Sequence, residues 1–590
     1  MNPGSTASSV EIAERALAEI ARRGDDGVWI SVAPPDRLLA EARDLQRRHD
    51  RGERLPLYGT SFAVKDNIDV AGLPTTAACP ALASTPARDA PVVARLRQAG
   101  ALCVGKTNLD QLATGLGGVR SPYGVPPNPF DADHAPGGSS SGSGVAVAVG
   151  LVDFALGTDT AGSGRVPAAF NNIVGLKPSR GLLSAAGVVP ACPSLDCVSI
   201  FALTVEQAAR VADLARGFDE SDPFSRPEAD SFSFAGGARP PRFRFGLPGG
   251  AALDFRGDSA AAATFARAVE RARSLGGEPV EIDFTPFREA GALVYDGAYV
   301  AERLIAGGAL LGERPEALLP PIRVILTGAR NVDARAAFET QRRVRQLRRA
   351  AARALAGLDF LLVPTTPTIP RVADLQADPL RLNAALGTFT TFVNPLDLAA
   401  LAVPAGFRDD GLPAGVTLVG PWGSDARLAA FGAALHRATS DRLGALDRSL
   451  PLEMPATGAI PEGWIGLAVV GAHLSGEPLN HQLTDLGGHF VRATRTTSSY
   501  RLYALPNTTP PKPGLVRAAE GGGPIELEVW ALSPAAFGAF VARIPTPLAI
   551  GRIALDDGTA VSGFLCESFA TAGATDITAT GGWRKFLGRT

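Results

Sequence analysis

Ser163 stands between two glycines in the run Asp159-Thr160-Ala161-Gly162-Ser163-Gly164-Arg165, a few residues after an apolar segment. The consecutive backbone N–H groups of Thr160, Ala161, Gly162 and Ser163 carry little side-chain bulk at two positions. Such a turn can face a developing oxyanion while the serine at its end attacks the carbonyl that carries it. A hydroxyl nucleophile needs a proton acceptor, and histidine is scarce, with His134 the only one between His49 and His436. Lysine can take the role when burial holds it neutral. Lys65 ends "LYGTSFAVK", a run apolar enough for a buried strand. A lone lysine after a strand is ordinarily a surface residue, so residue types alone leave Lys65 open.

A second element lies just upstream. "HAPGGSSSGSGVAVAVG" holds an unbroken Gly/Ser tract from Gly137 to Gly144. A flexible linker is the simplest reading of that composition, but the tract runs directly into Val145–Val149, which should be buried. Glycines at the mouth of a helix permit close backbone approach and leave N–H groups for an anion. No lysine follows as a nucleotide loop requires. Spacing alone leaves an active-site loop and a structural turn about equally open.

These segments need a scaffold. In the first three-quarters of the chain, β-branched runs ("LPLYGTSFAV", "ALCVG", "FLLVPTT", "GVTLVG") alternate with helical patterns such as "DAPVVARLRQAG". The alternation predicts an α/β fold with a large mixed sheet flanked by helices. A Pro/Gly-rich stretch places a linker at 446–462, between a domain at 1–445 and another at 463–590. In the second, "LAVVGAHL", "RLYALP", "IELEVWAL", "IGRIAL" and "VSGFLCE" predict a small β-rich α+β domain. At the start, Ser8 and Glu11 form a helix-capping pattern, and no signal peptide is expected.

Charge and composition narrow the function. The chain has 57 Lys+Arg against 59 Asp+Glu, a net charge of −2, which offers no basis for a nucleic-acid or membrane partner. The arginines of "QRRVRQLRRAAARAL" are the wet side of a helix that buries Val344, Leu347, Ala351 and Leu355, with binding of an anionic substrate as the minor reading. Five scattered cysteines and the absence of CxxC pairs predict neither a disulfide framework nor a metal site. A reduced, cytoplasmic setting is expected.

Several motifs in order, "AVKDNIDVAGLPTTAA", "GKTNLDQLATG", "GGSSSGSGVAVAVG", "LGTDTAGSGRVPAA", "GLKPSRG" and "SLDCVSI", closely resemble the amidase signature family over about residues 20–440. The resemblance implies the amidase signature fold and carboxamide hydrolysis by a Ser-Ser-Lys triad without cofactor. Matched by motif, Ser163 is the nucleophile, Ser139 the bridging serine on a cis peptide bond, and Lys65 the base. Thr160, Ala161, Gly162 and Ser163 then supply the oxyanion N–H groups, with Asp159, Ser140 and Arg165 as supports. Ala161 and Gly164 depart from the commonest form of the nucleophile turn, and "NPLDLAALAVPAG" near Asn394 replaces a glycine-rich phrase.

Within that family, "ATGLGGVRSPYG" and the tail "VVGAHLSGEPLNHQL" make the whole chain similar to the allophanate hydrolases. That likeness implies a small anionic amide as substrate, with Tyr295 and Arg303 holding its carboxylate and a backbone contact from the Thr114-Gly115-Leu116 region, for which Gly115 is the candidate. Tyr295 and Arg303 lie close to two helical turns apart, so one helix face could present both; a solvated arginine on an ordinary amphipathic helix is the competing reading. The likeness also implies a homodimer and association with urea- or biuret-pathway enzymes. The tail resembles the gamma-glutamyl cyclotransferase-like fold, and in fused allophanate hydrolases it is linked to decarboxylation of N-carboxycarbamate. His473, Arg495 and Tyr500 are the candidate residues there. The alternative is a general small-amide amidase whose tail is a non-catalytic assembly module.

Overall fold

A computed structural model describes residues 8–234, 239–450, 460 and 463–588. The expected linker at 446–462 lies largely outside these residues. Eleven strands form one mixed sheet in the order Trp29–Val32, Leu102–Thr107, Ser61–Lys65, Phe154–Thr158, Val198–Ala202, Val174–Lys177, Leu398–Phe407, Pro413–Pro421, Phe360–Pro364, Phe243–Pro248 and Gly277–Ile282. The α/β expectation holds, with helices on both faces.

The two faces are legible in the strand Ser61–Lys65, whose side chains alternate between them. Phe62 and Val64 enter the core built with helices Pro91–Gln98, Val205–Ala215, Ser259–Ser274 and Asp425–Thr439. Ala63 enters the opposite core, where it meets Val145–Ala148. Lys65 shares the parity of Ala63 and so projects toward the side of the sheet that carries the glycine-rich segment. Phe62 stacks on Phe154 across the parallel pair, with ring centroids 5.2 Å apart. Truncating either ring to Ala would cost about 3–5 kcal/mol.

The Gly/Ser tract is not a linker. Its second half forms the helix Ser141–Ala148, in which every residue is buried. Small side chains let this helix lie directly on the strands. Ser143 Oγ lies 2.7 Å from Thr107 Oγ1 and donates to Leu156 O at 3.0 Å. At Gly142 a Cβ would overlap the Val28 carbonyl, so only glycine permits this approach.

Elsewhere the chain follows its local signals. Ser8 and Glu11 close a reciprocal capping box on Ser9–Arg23. The helix Ala334–Ala354 buries Val344, Leu347 and Ala351 and exposes Arg342, Arg345 and Arg349. No helix among the described residues is long and apolar enough to cross a membrane.

The tail forms a five-stranded sheet in the order His489–Arg495, Glu526–Leu532, Ile465–Val469, Ala560–Cys566 and Leu548–Ala554. A three-stranded sheet of Pro513–Arg517, Tyr500–Ala504 and Thr575–Asp576 completes it. Leu467, Val469, Tyr500, Trp530 and Ile553 belong to its own apolar core. The β-rich expectation for the tail also holds.

Candidate active site

Two parallel neighbours, Ser61–Lys65 and Phe154–Thr158, end side by side, in register Val64 to Leu156. Crevices at the carboxyl ends of such strands are where α/β folds place their chemistry. Lys65 Nζ lies there, fully buried, 2.7 Å from Ser139 Oγ and 2.8 Å from Thr158 Oγ1. Burial lowers its pKa to about 7, while Asp110, Asp196 and Asp159 pull it back up. An amine poised there offers a lone pair to one hydroxyl and an N–H to the other. Thr158 lies within the run "LGTDTAGSGRVPAA", but only the register of the two strands shows that its hydroxyl meets Lys65.

Ser139 follows the Gly138–Ser139 cis peptide bond and is itself fully buried. Its carbonyl accepts from Asp110 N at 3.0 Å. The Asp110 carboxylate in turn accepts from Gly118 N at 3.0 Å and Arg120 N at 2.8 Å. Ser140 Oγ donates to Thr158 O at 3.3 Å and ties the loop to the strand end.

The turn that carries Ser163 is built around a buried ion pair. The Arg165 guanidinium donates to Asp159 through Nε at 2.8 Å and Nη2 at 2.9 Å, and neither side chain is exposed. The same carboxylate accepts from Gly162 N at 2.9 Å and Gly164 N at 3.0 Å. Burial pushes the Asp159 carboxyl up, but Arg165 and the Gly164 N–H hold it below the ordinary range. Gly162 adopts a φ of 138°, and a Cβ there would overlap Thr390. Thr390 Oγ1 donates to Ala161 O at 2.8 Å, and Asn394 Nδ2 donates to Asp159 O at 2.7 Å. The unusual segment near Asn394 therefore braces the turn.

Ser163 sits in this turn, 3% exposed, with its hydroxyl donating to Gly115 O at 3.5 Å. Among the described residues no hydrogen bond joins Ser163 Oγ to Ser139 Oγ. The Gly162 N–H is committed to Asp159. That removes it from the four expected oxyanion donors in this conformation and leaves those of Thr160, Ala161 and Ser163, which meet no acceptor among the described residues.

Tyr295 and Arg303 meet, but not on one helix face. The helix ends at Ala292, Tyr295 lies in a turn, and Arg303 closes a short 3-10 helix, Ala298–Arg303. The turn brings the Arg303 guanidinium 5.1 Å from the Tyr295 ring centroid. Arg303 is 3% exposed, so the solvated reading fails. Its Nη1 donates to Thr114 Oγ1 at 2.8 Å, whereas its Nε is buried without a partner. Arg120 and Asp196, which lie within "ATGLGGVRSPYG" and "SLDCVSI" but to which those motifs assign no role, complete the neighbourhood. Asp196 accepts from Thr160 Oγ1 and from the N–H groups of Ala191 and Cys192.

The three tail residues are not gathered in one site. His473 lines a cavity of about 300 Å³ together with Gln482, Lys512, Arg543 and Phe564. Its Nε2 lies 3.0 Å from Gln482 Oε1, and burial lowers its pKa. Arg495 pairs instead with Glu526 at 3.1 Å. Tyr500 is wholly buried, and its hydroxyl accepts from Arg517 Nη2 and Ala554 N, both at 2.9 Å. Neither Arg495 nor Tyr500 lines the cavity of His473.

Comparison with known proteins gives the family. Residues 11–429 match the amidase family model, and residues 465–588 match the allophanate hydrolase C-terminal domain. The urea amidolyase of Saccharomyces cerevisiae is 42% identical over 95% of this chain, which spans only 31% of that protein. The urea amidolyase of Lachancea kluyveri is likewise 42% identical over 95% of this chain and 31% of its own. The solved allophanate hydrolase of Kluyveromyces lactis superposes with a TM-score of 0.80 at 39% identity, covering 99% of this chain and 97% of that one. With its glycine-rich loop, its braced serine turn and its buried lysine in the matched region, the chain belongs to the amidase family and carries behind that region an allophanate hydrolase C-terminal domain.

Proposed function

We propose that the chain hydrolyses allophanate (urea-1-carboxylate), releasing ammonia through Ser163, Ser139 and Lys65. The observation that carries the reading is the 2.7 Å approach of Lys65 Nζ to Ser139 Oγ, with the amine held near neutrality. Ser163 Oγ attacks the terminal amide carbonyl as its proton passes to Ser139 and the Ser139 proton to Lys65. For this relay the Ser163 side chain turns from Gly115 O toward Ser139. The N–H groups of Thr160, Ala161 and Ser163 receive the oxyanion. Collapse returns a proton to the departing nitrogen, frees ammonia and leaves an acyl-enzyme, which water cleaves to N-carboxycarbamate.

Arg303 and Tyr295 bind the carboxylate of the substrate, with the Gly115 backbone as a third contact. The unpartnered Nε of buried Arg303 supports this, because an unsatisfied guanidinium N–H is costly unless a ligand fills it.

The second step belongs to the tail, near His473. N-carboxycarbamate takes up one proton and loses carbon dioxide to give carbamate. A cavity that brings the cationic side chains Lys512 and Arg543 beside His473 suits a small anion. A homodimer and association with enzymes that supply allophanate belong to the same reading, as does a division into domains at 1–445 and 463–590. Steady-state comparison of allophanate, biuret, malonamate and urea tests it. Allophanate should have the largest kcat/KM, and Ser163→Ala should abolish its turnover with the fold intact. A neutral amide as preferred substrate would reduce the reading to a general amidase.

A further inference from the structure

Arg120 is 4% exposed and lies behind the segment that faces Ser163. Its Nη1 donates to Thr114 O at 2.9 Å, its Nη2 donates to Pro379 O, and its Nε is buried without a partner. Thr114 is thus gripped twice, by Arg120 at its carbonyl and by Arg303 at its hydroxyl. In a planar trans peptide the carbonyl and the following N–H point in opposite directions. Holding Thr114 O therefore aims the Gly115 N–H away from Arg120, and that N–H meets no acceptor among the described residues. The Gly115 carbonyl already accepts from Ser163 Oγ. Arg120 and Tyr295 also share the wall of a cavity of about 390 Å³.

We propose that Arg120 is a positioning residue for anion recognition. It fixes the Thr114–Gly115 peptide so that the Gly115 N–H converges with Arg303 and Tyr295 on the substrate carboxylate, and it adds a second buried positive charge behind them. The proposal rests on the reading of Arg303 as the carboxylate partner. A loop could be held by a neutral donor at less cost, since a guanidinium bonded only to carbonyls leaves its charge unpaired by direct contact. Asp110 offsets part of that charge, and an anionic ligand would offset more.

Calorimetric binding to the turnover-dead Ser163→Ala protein tests this, with malonate as the carboxylate probe and malonamide as its neutral counterpart. Adding Arg120→Met should weaken malonate about 10- to 100-fold while malonamide changes less than about 3-fold. Arg120→Lys keeps the charge but reaches fewer carbonyls, so an intermediate loss of about 3- to 10-fold for malonate alone is expected. Equal weakening of both probes, or of neither, overturns the proposal, and Arg120→Lys decides it if Arg120→Met does not fold. Arg303→Ala in the same background separates the two ideas. Malonate binding untouched by Arg303→Ala would sink the carboxylate reading itself, whereas loss there without loss in the Arg120 variants would sink only the role of Arg120.

Discussion

Lys65 Nζ and Ser139 Oγ lie 2.7 Å apart in a pocket where neither residue has any exposed surface. Burial is the largest influence on the amine and lowers its pKa to about 7, against the opposing pull of Asp110, Asp196 and Asp159. A lysine near that value works as a base only when unprotonated. The rate should therefore fall on the acid side, by about tenfold per pH unit below pH 7. Asp110→Asn removes a charge that raises the lysine pKa, so the acid limb should move to lower pH. A pH–kcat/KM profile on both proteins checks this, and a limb that stays in place after Asp110→Asn would show that another group titrates.

The pair of Asp159 and Arg165 makes a prediction about stability. Both side chains are fully buried, and the carboxylate also anchors two N–H groups of the turn that carries Ser163. Asp159→Asn leaves the guanidinium buried without its counter-charge, at a cost of about 3–5 kcal/mol. The denaturant midpoint should drop accordingly, and activity should fall with it. An unchanged midpoint would mean that the turn is held by Thr390 and Asn394 alone.

Much of this site is legible in the sequence, and what is not has a common cause. Lys65 and the strand before it, the serine turn and the glycine tract all carry local signals. Val145–Val149 already argues against a flexible linker, and the helix Ser141–Ala148 bears that out. Thr158 and Arg120 sit inside recognisable motifs, yet nothing local tells what they touch, because their partners lie on other strands and loops and only topology brings them together. Tyr295 and Arg303 do meet in space, but helical spacing is the wrong reason: the helix stops at Ala292, and the turn supplies the approach. Tyr500 looks like an available hydroxyl in sequence, yet two N–H donors already satisfy it in the core. Local pattern registers which face a residue takes and says little about which distant group meets it.

Specificity should reside in Arg303. Its guanidinium is buried against the Tyr295 ring and Thr114, with Nε unpartnered. Losing a charged hydrogen bond to a carboxylate costs about 2–5 kcal/mol, or about 30-fold to several-thousand-fold. Arg303→Ala should lower kcat/KM for allophanate by that range while changing biuret hydrolysis by less than about 5-fold. Parallel losses on both substrates would assign Arg303 to the fold.

Replacing His473 should separate the two proposed steps. It shares its cavity with Lys512 and Arg543, stacks on Phe564 at 5.1 Å and lies 3.0 Å from Gln482 Oε1. If its Nε2–H is donated to Gln482, Nδ1 is the nitrogen left to carry a proton. His473→Ala should leave the first ammonia from allophanate untouched, because the Ser163 site is unaltered. Carbon dioxide release should lag behind that ammonia, with N-carboxycarbamate accumulating, and slow by about 100-fold or more as general acid–base assistance is lost. Deleting residues 463–590 should reproduce the lag if the tail is catalytic. Carbon dioxide and ammonia followed together in stopped-flow give the answer. If the two products stay in step in both variants while the deletion dissociates or destabilises the protein, the tail serves assembly and the second step needs no enzyme.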